Sequence, residues 1–321
     1  MKSEIAEDSM AHGGRLLHPR HVEIPDQVME AIDGIEMWES QTLFAKPMSG
    51  GLNNENWYVR DGSDTAYFLK VPGSGTGFID RSAGDAGTLR ASDLGIGPAV
   101  YAFDPDSGVE ITQFLEGYDT CTTTSLRTAE QGLQAMQIYR RLHGSATFDH
   151  TNTLFDQIDQ HLQQMRELRI AVPSWVVDLV DEYKDVKRRF IASGLHIVPC
   201  HNDPMPGNFL VKQGTMKIID FEFCGNNEES CELGLFLTEM FYDEEDAMPL
   251  LEEYFGTVSK QALSRVQASR VIGDIKWGMW GIITSVVRDA RFDYWKYGIW
   301  KLMRAYTYLH ELSWTEVKDG I

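Results

Sequence analysis

Three polar residues in the second half of the chain have the types and spacing of a catalytic set. Asp203 and Asn208 are five residues apart in HNDPMPGNFLV, and Asp220 follows in IIDFEF. A carboxylate can position a hydroxyl and accept its proton, while carboxylate and amide oxygens bind hard cations. Acids and asparagines are also common in polar turns, so the spacing alone leaves a simple turn between two strands as an alternative.

Two further features favour the catalytic interpretation. In protein kinases an aspartate lies five residues before an asparagine, and a later aspartate opens the DFG segment. In this chain HND takes the place of HRD, and DFE takes the place of DFG. In addition, Lys70 lies in the strand-like stretch YFLKVPG. In that chemistry Asp203 would accept the proton of the attacking hydroxyl, and Asn208 and Asp220 would bind metal. Lys70 would contact phosphates; a surface lysine on an edge strand is its alternative interpretation.

The elements that must position these residues change character along the chain. ENWYVR, AYFLKV and VEITQFL, separated by turn-rich pieces, predict an antiparallel sheet, with one helix near RSAGDAGTLRASDLG. Later segments have long helical periodicity, with NFLV and KIIDFEF as the two strand-like pieces. We predict an α+β chain with a small antiparallel-sheet lobe over residues 21–116 and a larger, mostly helical lobe over 117–321. Residues 1–20 are predicted to be a disordered tail.

Composition narrows the function classes. The 321 residues, 43% of them hydrophobic, can form a large core, and the formal net charge of −19 would repel phosphate backbones, so no nucleic-acid partner is expected. No apolar stretch is long enough to span a bilayer, so no membrane association is expected. The four cysteines lack CxxC spacing, which favours thiols in a reducing cytoplasm.

The motifs resemble, in order, those of the choline/ethanolamine kinases of bacterial choline kinase type, within the aminoglycoside-phosphotransferase-like group. SGGLNNENWYV resembles the family's GGxTNxNYxV, LKVPGSGTGFIDR its LRxPGxGTxxxIDR, and CHNDPMPGNFLV its CHNDxxxxNxL. IIDFEFCGNNEESCELG and KWGMWGIITSVVRDARFDYWKYG are similar to later family segments. The resemblance runs from about residue 47 to 298.

The resemblance implies a two-lobed, protein-kinase-like enzyme that transfers the γ-phosphate of ATP, with Mg²⁺, to the hydroxyl of a small amino alcohol, choline or ethanolamine. Asp203 would be the catalytic base, Asn208 and Asp220 metal ligands, and Glu222 a further group at the metal or the substrate. The implied nucleotide contacts are Lys70, Gly50, Gly51, Asn53 and Asn54, with the adenine-binding hinge at Gln113, Phe114, Leu115 and Glu116.

Some positions depart from the family pattern; for example, Lys70 stands where the family more often carries arginine. Gly84 stands where the family carries a helix glutamate that pairs with the strand cation, and Asp85 lies beside it. Either Asp85 substitutes for that glutamate or the ion pair is missing. Glu232 replaces the aspartate of the family's DLA segment, which keeps the charge and lengthens its reach.

The end of the chain is rich in tryptophan. Trp277 and Trp280 are three residues apart and would share a helix face. A quaternary ammonium is recognised by aromatic faces together with a carboxylate. We predict that Trp277, Trp280 and Tyr294 form such a box near Asp203; packing in the core of a helical bundle is the alternative.

Two other functions stay open at this point. One is a kinase of another small molecule, such as an aminoglycoside, an amino sugar or thiamine, which would share every ATP-side residue. The other is a nucleotide-binding pseudokinase that acts as a regulatory module. A cytoplasmic location is expected, and a homodimer is compatible with the sequence.

Overall fold

The computed structural model describes residues 8–11, 16–19, 22–49, 54–73, 81–288, 292–311 and 313–321. The chain forms two compact units, Met1–Tyr118 and Asp119–Ile321, which we call unit 1 and unit 2. The division lies two residues after the predicted lobe boundary, which falls between Glu116 and Gly117.

Unit 1 is built on a sheet whose strands follow the alternation of apolar and polar residues. The described strands are β1 (Asp8–Ala11), β2 (Leu16–Pro19), β3 (Leu43–Pro47), β4 (Asn54–Arg60), β5 (Ala66–Pro72), β6 (Val100–Phe103) and β7 (Glu110–Gln113). They lie in the order β1-β2-β3-β4-β5-β7-β6. Neighbours are antiparallel except for β2 and β3, which are parallel. The described helical segments are α1 (Asp26–Asp33), a 3-10 turn (Glu36–Trp38) and α2 (Arg81–Asp93).

The core of unit 1 lies on one face of this sheet. Trp57, Leu69 and Val71 from β4 and β5 pack there with Trp38 of the 3-10 turn. Successive side chains of a strand point to opposite faces, so Lys70 projects from the face opposite to this core.

Within the predicted tail of residues 1–20, the described segments Asp8–Ala11 and Leu16–Pro19 are strands. β1 and β2 pair with each other, and β2 continues the main sheet because Leu16 pairs with Leu43 in β3. Leu16 is also buried. A four-residue strand that gains its backbone partners from distant residues has too short a pattern to be recognised in the sequence.

Unit 2 is mostly helical, as predicted. Its described helices are α3 (Thr123–Leu126), α4 (Ala129–His143), α5 (Leu154–Glu167), α6 (Trp175–Ser193), α7 (Glu229–Glu239), α8 (Glu244–Phe255), α9 (Lys260–Val287), α10 (Tyr294–Glu311) and α11 (Trp314–Asp319). Helix α9 passes through the core and packs against α5, α7 and α10. Among the described residues no helix is both long and apolar enough to cross a membrane.

Short strands in unit 2 flank the segments predicted to be catalytic. They are β8 (Asp119–Thr120), β9 (Ile197–Cys200), β10 (Phe209–Lys212), β11 (Thr215–Ile218) and β12 (Gly225–Glu228). β10 pairs with β11 and β8, and β9 pairs with β12. The prediction of two strand pieces was therefore incomplete. It missed the fully buried GNNE of β12 because that strand is polar; for example, Asn226 Oδ1 accepts a hydrogen bond from Phe148 N at 2.8 Å.

Helices α9 and α10 approach closely through glycines. A Cβ built on Gly298 would lie 2.6 Å from the carbonyl oxygen of Gly278 and 2.8 Å from the nitrogen of Ile282. Because both neighbours are backbone atoms, only glycine permits this spacing. The approach brings Tyr294, at the start of α10, next to Trp280 of α9.

Candidate active site

The loop from His201 to Asn208 leaves β9 and enters β10, and it brings two predicted residues together. Asn208 Nδ2 donates to Asp203 Oδ2 at 3.2 Å and to the backbone oxygen of Asp203 at 3.1 Å. Pro206 begins the 3-10 turn that carries Asn208. Because the amide nitrogen of Asn208 is engaged in this way, its amide oxygen is the atom that it can offer to a cation.

The third predicted residue, Asp220, lies beside this loop just after β11. His201 connects the two segments: its Nε2 donates to the backbone oxygen of Ile219 at 2.9 Å, and its Nδ1 accepts from the backbone N–H of Asp203 at 3.3 Å. Ile219 N also donates to Asn208 O at 2.9 Å. Asp220 has φ 66°, a left-handed conformation that a non-glycine residue adopts at an energetic cost and that is often found at functional sites.

A buried carboxylate, Glu232, accepts hydrogen bonds from the backbone of the loop predicted to be catalytic. Glu232 Oε2 accepts from His201 N at 3.0 Å, and its Oε1 accepts from Asn202 N at 2.5 Å. His143 Nε2 donates to Glu232 Oε2 at 2.8 Å. Burial raises the pKa of Glu232, but the His143 hydrogen bond, the electrostatic interactions with His143 and His201 and the Asn202 N–H outweigh it, so the pKa is lowered overall. The side chain of Glu232, which is longer than the family's aspartate, thus accepts hydrogen bonds from two backbone amides of the loop.

The electrostatics around Asp203 suit proton acceptance. Burial raises the pKa of Asp203, and the negative charge of Asp220 raises it further, while His201, Lys276 and the Asn208 hydrogen bond oppose the shift. The pKa is raised overall, and a more basic carboxylate takes a proton from a hydroxyl more readily. The carboxylates of Asp203 and Asp220 repel each other, and a cation near them would relieve this repulsion. The donor set of Asn208 and Asp220 fits a divalent ion.

An aromatic cluster lies in the same unit. The ring centroid of Trp280 lies 5.5 Å from that of Trp277 and 5.5 Å from that of Tyr294. The three predicted box residues therefore form one cluster. Phe223, one residue after Glu222, lies 5.5 Å from Trp277 and connects the cluster with the segment that carries Asp220. Tyr297, 6.0 Å from Trp280, is a member that sequence reasoning missed.

Sequence reasoning also missed Lys276 and His143. Lys276 precedes Trp277 on α9, and its Nζ lies 3.0 Å from the centroid of that ring. His143, at the end of α4, has the position of an ordinary helix C-terminal cation in the sequence. The contact of His143 with Glu232 joins helices far apart in the chain, and that of Lys276 with Trp277 depends on a side-chain rotamer, so no local pattern predicts either.

The predicted nucleotide contacts that are described lie in unit 1. Asn54 begins β4, Lys70 lies in β5, and Gln113 ends β7. Phe114 follows, with its ring 4.8 Å from that of Tyr58, and Glu116 donates its N–H to the Phe114 oxygen at 3.0 Å. The predicted hinge also includes Leu115, which is partly buried. Gly50, Gly51 and Asn53 lie outside the described residues.

The acidic residue directly opposite Lys70 lies in the neighbouring strand β7 and not in helix α2. Glu110 of β7 is the direct cross-strand partner of Lys70 in the antiparallel pairing. Thr88 of α2 donates to Glu110 Oε2 at 3.3 Å. Asp85 Oδ1, by contrast, is buried without a hydrogen-bond partner in the described part of the chain, and burial raises the pKa of Asp85. Of the two acids, Glu110 is the one whose backbone position is directly opposite Lys70.

The sequence of this chain matches a known protein family. The model of the family described as choline/ethanolamine kinase matches residues 45–261, more than half of the chain. The chain belongs to the choline/ethanolamine kinase family. The match includes the segment of Asp203, Asn208, Asp220 and Glu232, and it ends before Lys276.

Individual members of the choline/ethanolamine kinase family are distant in sequence and close in fold. Protein LicA of Haemophilus influenzae is 24% identical over 274 residues, which cover 82% of this chain and 79% of LicA. A crystal structure of a choline/ethanolamine kinase family protein from Mesorhizobium loti superposes with a TM-score of 0.81 at 26% identity, over 92% of this chain and 98% of that one. A LicA structure in complex with AMP has a TM-score of 0.73 at 19% identity, over 90% and 99% of the two chains.

These comparisons confirm the predicted fold class and enzyme class. This choline/ethanolamine kinase is an α+β protein with a protein-kinase-like fold. It is an ATP-dependent phosphotransferase whose acceptor is a small amino alcohol.

Proposed function

We propose that this family member is a choline kinase that uses Mg²⁺ and works in the cytoplasm, where ATP is available. The observation that carries the proposal is the convergence, within unit 2, of Asp203, Asn208 and Asp220 with an aromatic cluster. Phe223 connects the two groups. Aromatic faces beside a carboxylate are the environment that a quaternary ammonium prefers.

The acceptor step follows from the roles of these residues. The Asp203 carboxylate positions the acceptor hydroxyl and takes its proton as the oxygen attacks the γ-phosphorus; the bond to the β-phosphate oxygen breaks and ADP leaves. Asn208, through its amide oxygen, and Asp220 are the proposed Mg²⁺ ligands, with Glu222 as a further candidate. A bound divalent cation would neutralise the charge of the phosphate oxygens.

The remaining roles concern the nucleotide. Lys70 is proposed to contact the phosphates, with Glu110 rather than Asp85 as the acid that orients it. The segment from Gln113 to Glu116 is the proposed adenine hinge, with Asn54 at the start of β4 as a further contact. A homodimer stays a prediction.

The test is an acceptor panel with ATP, Mg²⁺ and choline, ethanolamine, an aminoglycoside, an amino sugar or thiamine. We expect the highest kcat/KM with choline, and we expect Asp203→Asn to lower kcat by about 10²–10⁴-fold while nucleotide binding stays nearly intact. The control is Asp178→Asn, which changes an exposed carboxylate on α6.

Three results would contradict the proposal. A higher kcat/KM with another acceptor would reassign the substrate. Wild-type turnover by Asp203→Asn would reject Asp203 as the base. Mg²⁺-dependent ATP binding without transfer to any acceptor would indicate a pseudokinase.

A further inference from the structure

A buried lysine, Lys276, lies within the aromatic cluster of unit 2. The residue is 3% exposed, and its Nζ lies 3.0 Å from the ring centroid of Trp277 and 5.2 Å from that of Phe223. Buried ammonium groups are normally paired with carboxylates. In the described part of the chain Lys276 has no salt bridge, and its ammonium lies against the ring of Trp277 instead.

The charged and titratable groups around Lys276 come from three other elements. Asp203, on the catalytic loop, attracts it, and Lys301 of α10 repels it. Lys301 forms its own salt bridge with Glu239. His161 of α5 is kept neutral, because burial and the neighbouring Lys276 lower its pKa to about 3. Lys276, whose pKa is lowered by burial, therefore acts on Asp203 from within the cluster and forms no salt bridge with any described residue.

The acceptor's cationic group would need the same surroundings. A cation is held at an aromatic face by the ring's negative electrostatic potential, and one face accommodates one ammonium. A second ammonium at close range in a medium of low dielectric is repelled. The ammonium of Lys276 already lies against the ring of Trp277.

We propose that Lys276 is a specificity-determining residue of the acceptor site, because its ammonium occupies the face of Trp277 and competes with the ammonium of the acceptor. The inference rests on the proposed function, since it assumes that the cluster binds a cationic alcohol. The acceptor's ammonium is received by Trp280 and Tyr294, the members of the box that Lys276 does not cover. Burial lowers the pKa of Lys276 overall, although Asp203 opposes this shift, so the competing charge is held at an energetic cost.

The experiment compares choline with 3,3-dimethyl-1-butanol, its uncharged carbon isostere, in the full-length wild type and in Lys276→Met. Methionine keeps an unbranched side chain of similar length and removes the charge. We expect KM for choline to fall by roughly 3- to 30-fold, the range of one cation–π contact, and KM for the isostere to stay within about 2-fold. The inhibition constant of tetramethylammonium, which has no hydroxyl and reports binding without chemistry, should fall by the same factor as KM for choline.

The matched control is Lys296→Met on α10. Its ammonium also lies over a tryptophan, 4.5 Å from the centroid of Trp300, but on the exposed surface. We expect it to leave KM for both acceptors unchanged.

The outcomes separate this inference from the proposed function. Choline turnover by wild type with no change of KM or inhibition constant in Lys276→Met would overturn the role of Lys276 alone. An equal fall of KM for choline and for the isostere would overturn it as well, because volume rather than charge would then be responsible. Choline turnover by Lys276→Met but not by wild type would support the role of Lys276 and reject choline as the native acceptor. Absence of choline turnover in both enzymes would reject both.

Discussion

Trp280 is the aromatic residue at the centre of the cluster. Its ring contacts Trp277, Tyr294 and Tyr297, each at a centroid distance of 5.5 to 6.0 Å, and it is partly exposed whereas Trp277 is buried. Since Lys276 lies over Trp277, Trp280 is the tryptophan of the box that remains accessible to an acceptor. At the scale of residues, the proposed recognition of a methylated ammonium therefore depends on this ring.

We expect Trp280→Ala to raise KM for choline by about 3- to 30-fold, since a cation–π contact contributes about 0.5–2 kcal/mol. KM for ethanolamine should rise less, because a primary ammonium also donates hydrogen bonds to carboxylates. Steady-state kinetics with both acceptors measures the difference. Trp300→Ala, which removes an exposed tryptophan of α10, is the control. Equal increases for choline and ethanolamine would reject the cation–π argument.

At the scale of elements, the contact between α9 and α10 determines where the aromatic residues lie. Gly278, Gly281 and Gly298 let the two helix backbones approach, with a Cβ on Gly281 at only 2.9 Å from the Cα of Gly298. α9 carries Trp277 and Trp280, and α10 carries Tyr294. A change in the spacing of the helices would therefore move the two sides of the box relative to each other.

We expect Gly298→Ala to lower the free energy of unfolding by about 1–3 kcal/mol, because the methyl group overpacks against backbone atoms that cannot rotate away. KM for choline should also rise, whereas KM for ATP should change little. Urea denaturation and steady-state kinetics measure the two effects. Gly62→Ala is the matched control, since a Cβ there meets nothing within 4 Å. If both variants were equally stable, the close approach would not limit the helix spacing.

At the scale of the whole molecule, a fall in pH acts on the stability of the folded state in two opposite ways. It relieves the repulsion among excess surface acids, and it weakens buried ion pairs. The net charge of −19 destabilises the folded state by repulsion that acid relieves. Inside unit 2, Glu239 forms salt bridges with Lys301 and with Arg304, and Arg304 also pairs with Asp274 at 2.6 Å. Burial raises the pKa of Glu239, but Lys301 and Arg304 lower it more, so its folded-state pKa lies below the ordinary value of 4.5.

A carboxylate with a lowered pKa stabilises the fold above its unfolded-state pKa, and this contribution is lost as pH falls through the folded-state value. We therefore expect Glu239→Gln to be less stable than wild type by about 1–3 kcal/mol at pH 7. The difference should narrow as pH falls below 4.5, because wild type then loses the same charge. Denaturation curves at several pH values measure it, with the exposed Glu252→Gln as control. A difference that stays constant down to pH 3 would show that the carboxylate charge of Glu239 is not the cause.

Much of the architecture could be predicted because its signals are local. Period-two alternation predicted the central strands of unit 1, and period-3.6 patterns predicted the long helices of unit 2. The spacing of Asp203, Asn208 and Asp220, taken together with Lys70 in an upstream strand, predicted a catalytic loop followed by a metal-binding segment, and these roles stay predictions. Phosphoryl transfer requires these residue types at these separations, so the pattern can be recognised from the sequence alone.

Only the tertiary structure decided which residues surround them. Glu232 holds the catalytic loop through backbone amides, Glu110 lies opposite Lys70 by strand register, and Lys276 lies over Trp277 beside the predicted box. Two of these three depend on packing or pairing between elements far apart in the chain, and the third on the rotamer that a buried side chain adopts in its surroundings. Local sequence does not determine these partners, because distant helices and strands set the packing and pairing of Glu232 and Glu110, and the buried surroundings select the rotamer of Lys276.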